Sequence, residues 1–448
     1  MTLATVSEYN QSAVPNRGEH AVVVGGSMAG LLAARVLTDG YPKVTIIERD
    51  SMPDASVVRR GVPQANHVHA MLEPARVILN GLFPGYQEDL CADGAVVIDA
   101  GTELQYYEQG DALADTDNEL PMPCASRPLF ELVARRHAFE TPGLQIRSEC
   151  HFLDYLADDA ETTVTGVRFR NENGATETVA ADIVVDATGR TSRTHQWLAD
   201  HGYPTPTVDH VTVGLAYSTV TIERPADETQ AYLSAPDPPD TKGGTAVPVE
   251  NGGLLVTLFG MHGDHPPTDM NGYIKFAEEL ASPKLATLLK ERQCLSDDIS
   301  RYPFPSSQWR HYEELHRFPD GLAVTGDAIA SFNPIYGQGM SAAALDALQL
   351  HHTIAESDAN IGPRFFERIE PHIETIWQTA VGADFEFDET EGPKPFGVDL
   401  FNRYVSRVID TAHTSPAVSE EFARVLRLEK QPKALLRPGI AARVLIPN

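Results

Sequence analysis

Short apolar runs separated by small-residue turns divide the start of the chain into strand, helix and strand. Ala21, Val22, Val23 and Val24 are continuously apolar; Gly25-Gly26-Ser27-Met28-Ala29-Gly30 is a tight turn; Leu31, Leu32, Ala34, Val36 and Leu37 continue as good helix formers as far as Gly40. A second apolar run, 44–47, closes with Glu48. The pattern predicts a βαβ opening, and the later segments read as parts gathered around it.

Further along, 73–83 reads as a helix, 96–99 and 104–108 as strands about a turn at Ala100-Gly101, and 110–120 as an acidic loop. Ser126 is a credible N-cap with Pro128 in the first turn of a helix over 129–139. Segments 145–147, 152–157, 164–170 and 177–180 predict successive strands, with Asn171-Glu172-Asn173-Gly174 as a hairpin turn. The apolar run 183–185 ends in Asp186-Ala187-Thr188-Gly189-Arg190, small residues that let backbone approach a ligand closely. Alternation over 211–223, 230–234, 244–249 and 253–259 predicts a β-rich lobe, followed by a helix over 273–291 interrupted at Pro283. A buried strand at 322–325 then runs into Gly326-Asp327, a loop Phe332-Asn333-Pro334-Ile335-Tyr336, and Gly337-Gln338-Gly339 at the head of a long Ala/Leu helix. From Glu356 the chain reads as mostly helical, and its last apolar run, 442–446, is expected to pack on the first lobe.

Composition narrows the partners. Across 448 residues the formal net charge is −28, with 63 acidic residues against 35 basic ones, which argues against nucleic acid or an anionic membrane. Adaptation to high salt, where a carboxylate-rich surface stays hydrated, and an ordinary acidic enzyme are both compatible with this excess. Cys91, Cys124, Cys150 and Cys294 lack C-x-x-C spacing and read as free buried thiols. The polar residues 1–18 predict a disordered tail, no stretch is long enough to span a bilayer, and a soluble cytoplasmic protein is expected.

The glycine-rich turn is suited to phosphate because the following helix offers free N–H groups and a positive dipole end. Gly25, Gly26, Ser27, Ala29 and Gly30 are the candidate cradle, with Ser27 where a G-x-G-x-x-G pattern has its middle glycine. Glu48, ending the second strand, stands where a carboxylate accepts hydrogen bonds from an adenosine ribose. Arg59 and Arg60 could reach a pyrophosphate, and Arg127 is either a cofactor contact or an ion-pair partner for Glu131. His67 and His69 alternate around Val68 without metal-ligand company, so no metal site is predicted; a structural role and a site role for one of them both stand.

The segments GGSMAG…ERD, DATGR and TGDAIASFNPIYGQGM, in this order, resemble the FAD-dependent monooxygenases of the para-hydroxybenzoate hydroxylase-like family, over nearly the whole chain. RRGVPQANHVHAML and FNPIYGQGM are similar to the branch that contains polyketide hydroxylases, polyether epoxidases and squalene epoxidase. The resemblance implies an α/β fold: a Rossmann-like FAD-binding domain (19–95, 122–205 and 305–355), an inserted β-sheet substrate domain (96–121 and 206–304) and a C-terminal helical region (356–448). It also implies that Gly25, Ser27 and Gly30 hold the pyrophosphate, Glu48 the ribose and Asp327 the ribityl hydroxyls. Arg60 and Arg127 match flavin-side arginines, and Arg49, Asp186 and Gly189 complete the cofactor set. Gly337, Gln338, Gly339 and Met340 place a helix N-terminus near the flavin N1–C2 carbonyl, with Pro334 over the ring. The family's D-G pair is replaced by Asp186-Ala187-Thr188-Gly189, and no second glycine-rich βαβ is visible. NAD(P)H therefore either visits the flavin transiently or a separate reductase supplies electrons.

The implied activity is oxygen insertion, through a flavin C4a-hydroperoxide, into a lipophilic aromatic, polyketide or isoprenoid substrate, with His69 the candidate base where a phenol must be deprotonated. A halogenase lacks its W-x-W-x-I-P element here, since Trp309 stands alone in SSQWRHY. A prenyl-chain reductase and a non-enzymatic FAD-binding protein are the other readings. Tyr217, Phe259 and Met261 suit a lipophilic substrate but equally a core.

Overall fold

His20–Val24 is the central strand of a five-stranded parallel sheet in the computed structural model, which describes residues 2–445. The spatial order is Leu322–Val324, Ile183–Asp186, His20–Val24, Lys43–Ile47 and Leu144–Arg147. The sheet is covered by helices and by residues of a small β-layer such as Val167 and Phe169, and its central strands are continuously apolar because they are buried. The register aligns Val24 with both Ile47 and Asp186, so the glycine turn, Glu48 and the Asp186 turn emerge at one edge. The Met28–Leu37 helix packs against this sheet, and the long Gly339–Glu356 helix packs against Met28–Leu37, its Ala-rich composition letting the two approach closely.

An eight-stranded sheet forms the second lobe, in the order Ala330–Ser331, Ser300–Arg310, Val208–Glu223, Gly253–Gly260, Lys242–Val249, Ala231–Ser234, Leu104–Glu108 and Asp111–Ala112. Its outer face is closed by Met270–Glu278 and Lys284–Glu291 over Val220, Val256 and Leu258. The helix expected over 273–291 is thus two helices, since Pro283 is the N-cap of the second. A three-stranded antiparallel sheet (His151–Ala157, Val164–Arg170, Thr176–Ala180) and the pair Val96–Asp99 with Pro121–Cys124 complete the β-structure among the described residues.

The domain limits expected from sequence shift where long strands cross them. Ser300–Arg310 pairs along Val208–Glu223, and Ala330–Ser331 pairs with Gln308 and Trp309, so both belong to the β-rich sheet. The expected disordered tail is instead held down: Leu3 N–H donates to the Leu428 carbonyl at 3.1 Å, and the Tyr9 hydroxyl donates to Asp39 at 3.0 Å. Polar composition hid these contacts. The last helix, Pro438–Leu445, packs Val444 with Val408, Val418 and Phe422 rather than on the first lobe, and Ile446 lies outside the described residues. All four cysteines are free, but Cys91 is exposed and Cys294 half-buried, not buried as expected. Among the described residues no helix is long and apolar enough to cross a membrane, and no group of three or more His, Cys, Asp or Glu is placed to hold a metal.

Candidate functional site

Three glycine contacts bring the sequence motifs together. A Cβ on Gly25 (φ +103°) would lie 2.4 Å from the Ala187 carbonyl oxygen, one on Gly326 (φ +64°) 2.8 Å from the Ala29 Cβ, and one on Gly337 (φ +68°) 3.0 Å from the Ala70 Cβ. The phosphate turn, the DATG turn, the GD turn and the His69 segment therefore surround one cleft. Gly30 plays the packing role inside the first turn, where a Cβ would meet the Gly25 carbonyl oxygen at 1.9 Å.

The turn fits a pyrophosphate. Ser27 caps the Met28–Leu37 helix without a side-chain capping bond, so the first N–H groups of that helix are left for a ligand. The Ser27 hydroxyl instead donates to Glu131 at 2.9 Å and accepts from Arg127 Nη2 at 2.9 Å. Glu131 also binds Arg59, through Nε at 2.7 Å, so one buried carboxylate fixes two buried guanidiniums beside the turn. Burial works against ionisation of Glu131, but Arg127 and Arg59 outweigh it and hold its carboxyl below the usual range. Arg127 pairs with Glu131 at 3.1 Å, the ion-pair reading, and also touches the phosphate turn at Ser27.

Glu48 ends its strand inside this network, accepting from Gly26 N–H at 2.6 Å and from Asp50 N–H at 2.8 Å. Arg49 and Arg60 point away to the exposed side, where Arg49, Arg60, His151 and Arg170 line a groove of ≈ 580 Å³. Arg59, unlike the exposed Arg60, is buried against Glu131, and the Asp50 carboxylate that meets Arg59 also accepts from Gly61 N–H. Asp186 is buried and engaged wholly by its own turn, through Thr188, Ser192 and Thr194. It shapes the DATG turn, leaving Gly189 (φ +80°) with free space around it, rather than offering an oxygen to a ligand.

Asp327 opens into the cleft, enclosed by protein yet reachable by solvent. Burial raises its carboxyl above the usual range against the pull of Arg190 and Arg127. Behind it, Asp346 accepts from Gly326 N–H at 2.9 Å and pairs with His372 at 2.7 Å, so the GD turn is held from within the core. Gln338 caps the Gly339–Glu356 helix, again without a side-chain capping bond, and its own Oε1 is buried without a partner. Pro334 and Gly339 are exposed toward the cleft, while Met340 is buried beneath it. An N-terminus of an 18-residue helix aimed at the cleft supplies the positive end expected there.

Across the cleft stands an aromatic wall from the eight-stranded sheet. Tyr217 and Tyr302 stack at 6.5 Å, Tyr217 meets Phe259 edge-on at 6.5 Å, and His67 sits 5.4 Å from Tyr217. Asn333 reaches this wall at Met261, 3.9 Å away. His67 bonds Thr219 at 2.7 Å, and burial pushes its ring down to about 4. His69 Nδ1 donates to the His67 carbonyl at 2.9 Å, which leaves Nε2 as the acceptor, and burial with Arg127 nearby pushes it down to about 3. Sequence reasoning gave no role to Arg190, Asp346 or Asp384, and Glu131 entered it only as an ion-pair partner for Arg127. Only Glu131 carried a signal, its i,i+4 spacing from Arg127.

A family model described as FAD binding domain matches residues 19–359. Protein Rv3254 of Mycobacterium tuberculosis is 30% identical over 427 residues, covering 92% of this chain and 90% of its own. Kynurenine 3-monooxygenase of Salinispora tropica is 25% identical over 398 residues, covering 83% of this chain and 80% of its own. Among solved structures, the flavin-dependent brominase Bmp2 superimposes with a TM-score of 0.65 at 17% identity, over 94% of this chain and 98% of its own, a likeness of fold alone.

Proposed function

The chain belongs to this FAD binding domain family, that of the para-hydroxybenzoate hydroxylase-like monooxygenases, and is an FAD-dependent oxidoreductase; we propose that it inserts one atom of O2 into a lipophilic aromatic, polyketide or isoprenoid substrate. The observation that carries this reading is the arrangement of the Phe332–Met340 segment. Its exposed Pro334 and uncapped helix N-terminus face the cleft on one side, and Asn333 touches the aromatic wall on the other.

Bound FAD would supply hydride acceptance from NAD(P)H, or electrons taken from a separate reductase, and the activation of O2. The chain's own residues bind and orient it. Ser27, Arg127 and the free N–H groups of the Met28–Leu37 helix hold the pyrophosphate; Glu48 takes the ribose and Asp327 the ribityl hydroxyls. The N–H groups of Gly339 and Met340 stabilise negative charge that develops at the ring edge. Tyr302, half-buried, meets the apolar body of the substrate, and Tyr217, Phe259 and Met261, buried behind it, back this wall and keep water from the reacting face. His69 Nε2 is an unprotonated acceptor at neutral pH and receives the hydrogen bond of a phenolic hydroxyl where the substrate has one; with its ring held down to about 3 it takes the proton only as negative charge on the substrate raises its basicity. The monooxygenase activity named for the Salinispora relative supports an oxygen-inserting reaction, and the missing W-x-W-x-I-P element speaks against halogenation.

The test is labelled O2 supplied to the FAD-loaded protein with NADH or NADPH and a panel of aromatic, polyketide and isoprenoid compounds. One labelled oxygen in a product supports the proposal. Anaerobic saturation of a prenyl double bond, with no label incorporated in air, would replace it with a prenyl-chain reductase.

A further inference from the structure

We propose that the recess between the eight-stranded sheet and the 384–390 segment recognises a protonated amine on an otherwise lipophilic substrate; this rests on the monooxygenase reading and names the substrate class for it.

The inner end of the recess is Asp384, last residue of the Ile361–Asp384 helix and fully buried. Its Oδ1 accepts from Asn333 Nδ2 at 2.7 Å and from the Tyr336 hydroxyl at 3.0 Å, both on the loop that leads to the cleft. Its Oδ2 is buried with no hydrogen-bond partner, and so is the hydroxyl of Tyr217, a 6% exposed residue that feels the Asp384 charge. Unsatisfied buried polar atoms are uncommon in folded proteins, and two at one place mark where a ligand or water bonds.

From Tyr336 the recess runs outward. Tyr336 lies within electrostatic reach of Glu386 and Tyr106; Tyr106 lies within reach of Glu108; Glu108 lies within reach of Glu386 and Asp237. Glu108 Oε2 and Gln105 Oε1 are also buried without partners. Tyr106, Glu108 and Tyr336 keep accessible surface although protein surrounds them, as lining residues of a recess do.

The charge along this recess is predominantly negative; the nearby cation, Lys394, lies 5.6 Å from the Phe385 ring centroid. The groups acting on Glu108 are Tyr106, Glu386 and Asp237; Asp237 acts on Glu386; and Asp240 and Asp410 act on Asp237 at the rim. Lys394, farther along the same segment, is held by Asp399 at 2.6 Å. Burial, reinforced for Glu108 and Glu386 by like charge, pushes Asp384, Glu108 and Glu386 each up to about 7. Carboxyls so placed ionise readily once a cation enters, and by linkage the cation is bound more tightly as they do. The low-dielectric walls focus this potential along the recess, which separates it from the diffuse acidity of the whole surface. A neutral lipophile would gain only the aromatic wall, and an anion would be repelled along the whole path.

The test uses the FAD-loaded full chain at neutral pH in roughly 0.5 M KCl, where diffuse surface attraction is screened. Three matched fluorescent probes are titrated: anthracenylmethylamine, anthracenylmethanol and anthracenecarboxylate. The amine is expected to bind at least about tenfold more tightly than the alcohol, with the carboxylate weakest. Glu108→Gln and Glu386→Gln should each reduce that preference several-fold, whereas Asp358→Asn, which removes one exposed charge elsewhere, should not. Calorimetry in two buffers of different ionisation enthalpy should show proton release on amine binding. Equal binding of amine and alcohol, or a preference that survives both glutamine variants, overturns the inference while leaving the oxidoreductase intact. Protein that takes up no FAD overturns both.

Discussion

Gly326 stands directly against Ala29: a Cβ on the glycine would lie 2.8 Å from the alanine Cβ, and its φ of +64° is one that side chains rarely adopt. This contact ties the end of the Leu322–Val324 strand to the first turn of the Met28–Leu37 helix. It sets the distance between Asp327 and the phosphate turn, to which the proposed reading assigns two adjacent parts of the cofactor, the ribityl chain and the pyrophosphate.

Gly326→Ala should therefore weaken FAD binding more than it destabilises the fold. The left-handed backbone alone costs an alanine about 1–2 kcal/mol, and the methyl group must also displace Ala29. We expect at least about a tenfold loss of FAD affinity, read by flavin fluorescence quenching. Wild-type affinity in a folded variant would show that the spacing is set elsewhere.

Asp327→Ala should remove a charge-assisted hydrogen bond to the ribityl chain and cost about 1.5–3 kcal/mol of FAD affinity. Asp327→Asn keeps an acceptor and should recover part of it. Undiminished FAD retention in the alanine variant would detach the late motif from the cofactor. The Asp346–His372 pair behind the turn should keep it folded in both variants.

His69 makes a paired prediction. Folded, it stays neutral down to about 3, whereas an unfolded histidine protonates near 6.5. Between these values the unfolded chain binds the extra proton, so stability falls as pH drops below about 6.5, by at most about 1.4 kcal/mol per unit. His69→Gln should flatten that slope in urea unfolding series. If His69 is the base, the same variant should slow hydroxylation of a phenol and spare epoxidation of an alkene. Equal effects on both reactions would make His69 a positioning residue.

The order of elements was legible because each cofactor motif sits where an apolar strand runs into small residues, as at Val24–Gly25, Asp186–Ala187 and Val324–Gly326. Such junctions are local signals. That Arg59 rather than Arg60 is the buried arginine was not legible, since adjacent arginines look alike in sequence until Asp50, which meets both Arg59 and Gly61 N–H, turns one inward. Nor could Asp384 be found, lying 51 residues from its partner Asn333 with no periodic pattern joining them. The N-terminal segment was misread for a related reason: its anchors, Asp39, His351 and Leu428, are distant in sequence. Polar composition reports how a segment meets water, not which distant groups will bond it.

The last prediction turns on Asp384, whose carboxyl burial raises to about 7 against the opposing bonds from Asn333 and Tyr336. Unfolded, an aspartate ionises near 3.9. Between about 4 and 7 the folded protein holds a proton that the unfolded chain has released, so stability should fall as pH rises through this range, by at most about 1.4 kcal/mol per unit, and level off above it. Asp384→Asn keeps an oxygen to accept from Asn333 and Tyr336 but cannot ionise. The stability of the variant relative to wild type should therefore increase from about pH 4 to about pH 7 and then stay constant. Glu108 and Glu386 titrate in the same range in both proteins, and the comparison cancels most of their contribution. A difference that does not change with pH would mean that Asp384 is already ionised when folded. Anthracenylmethylamine adds a second readout, because a bound ammonium stabilises the ionised carboxylate. It should raise the unfolding midpoint of the wild type above neutral pH by more than that of the variant.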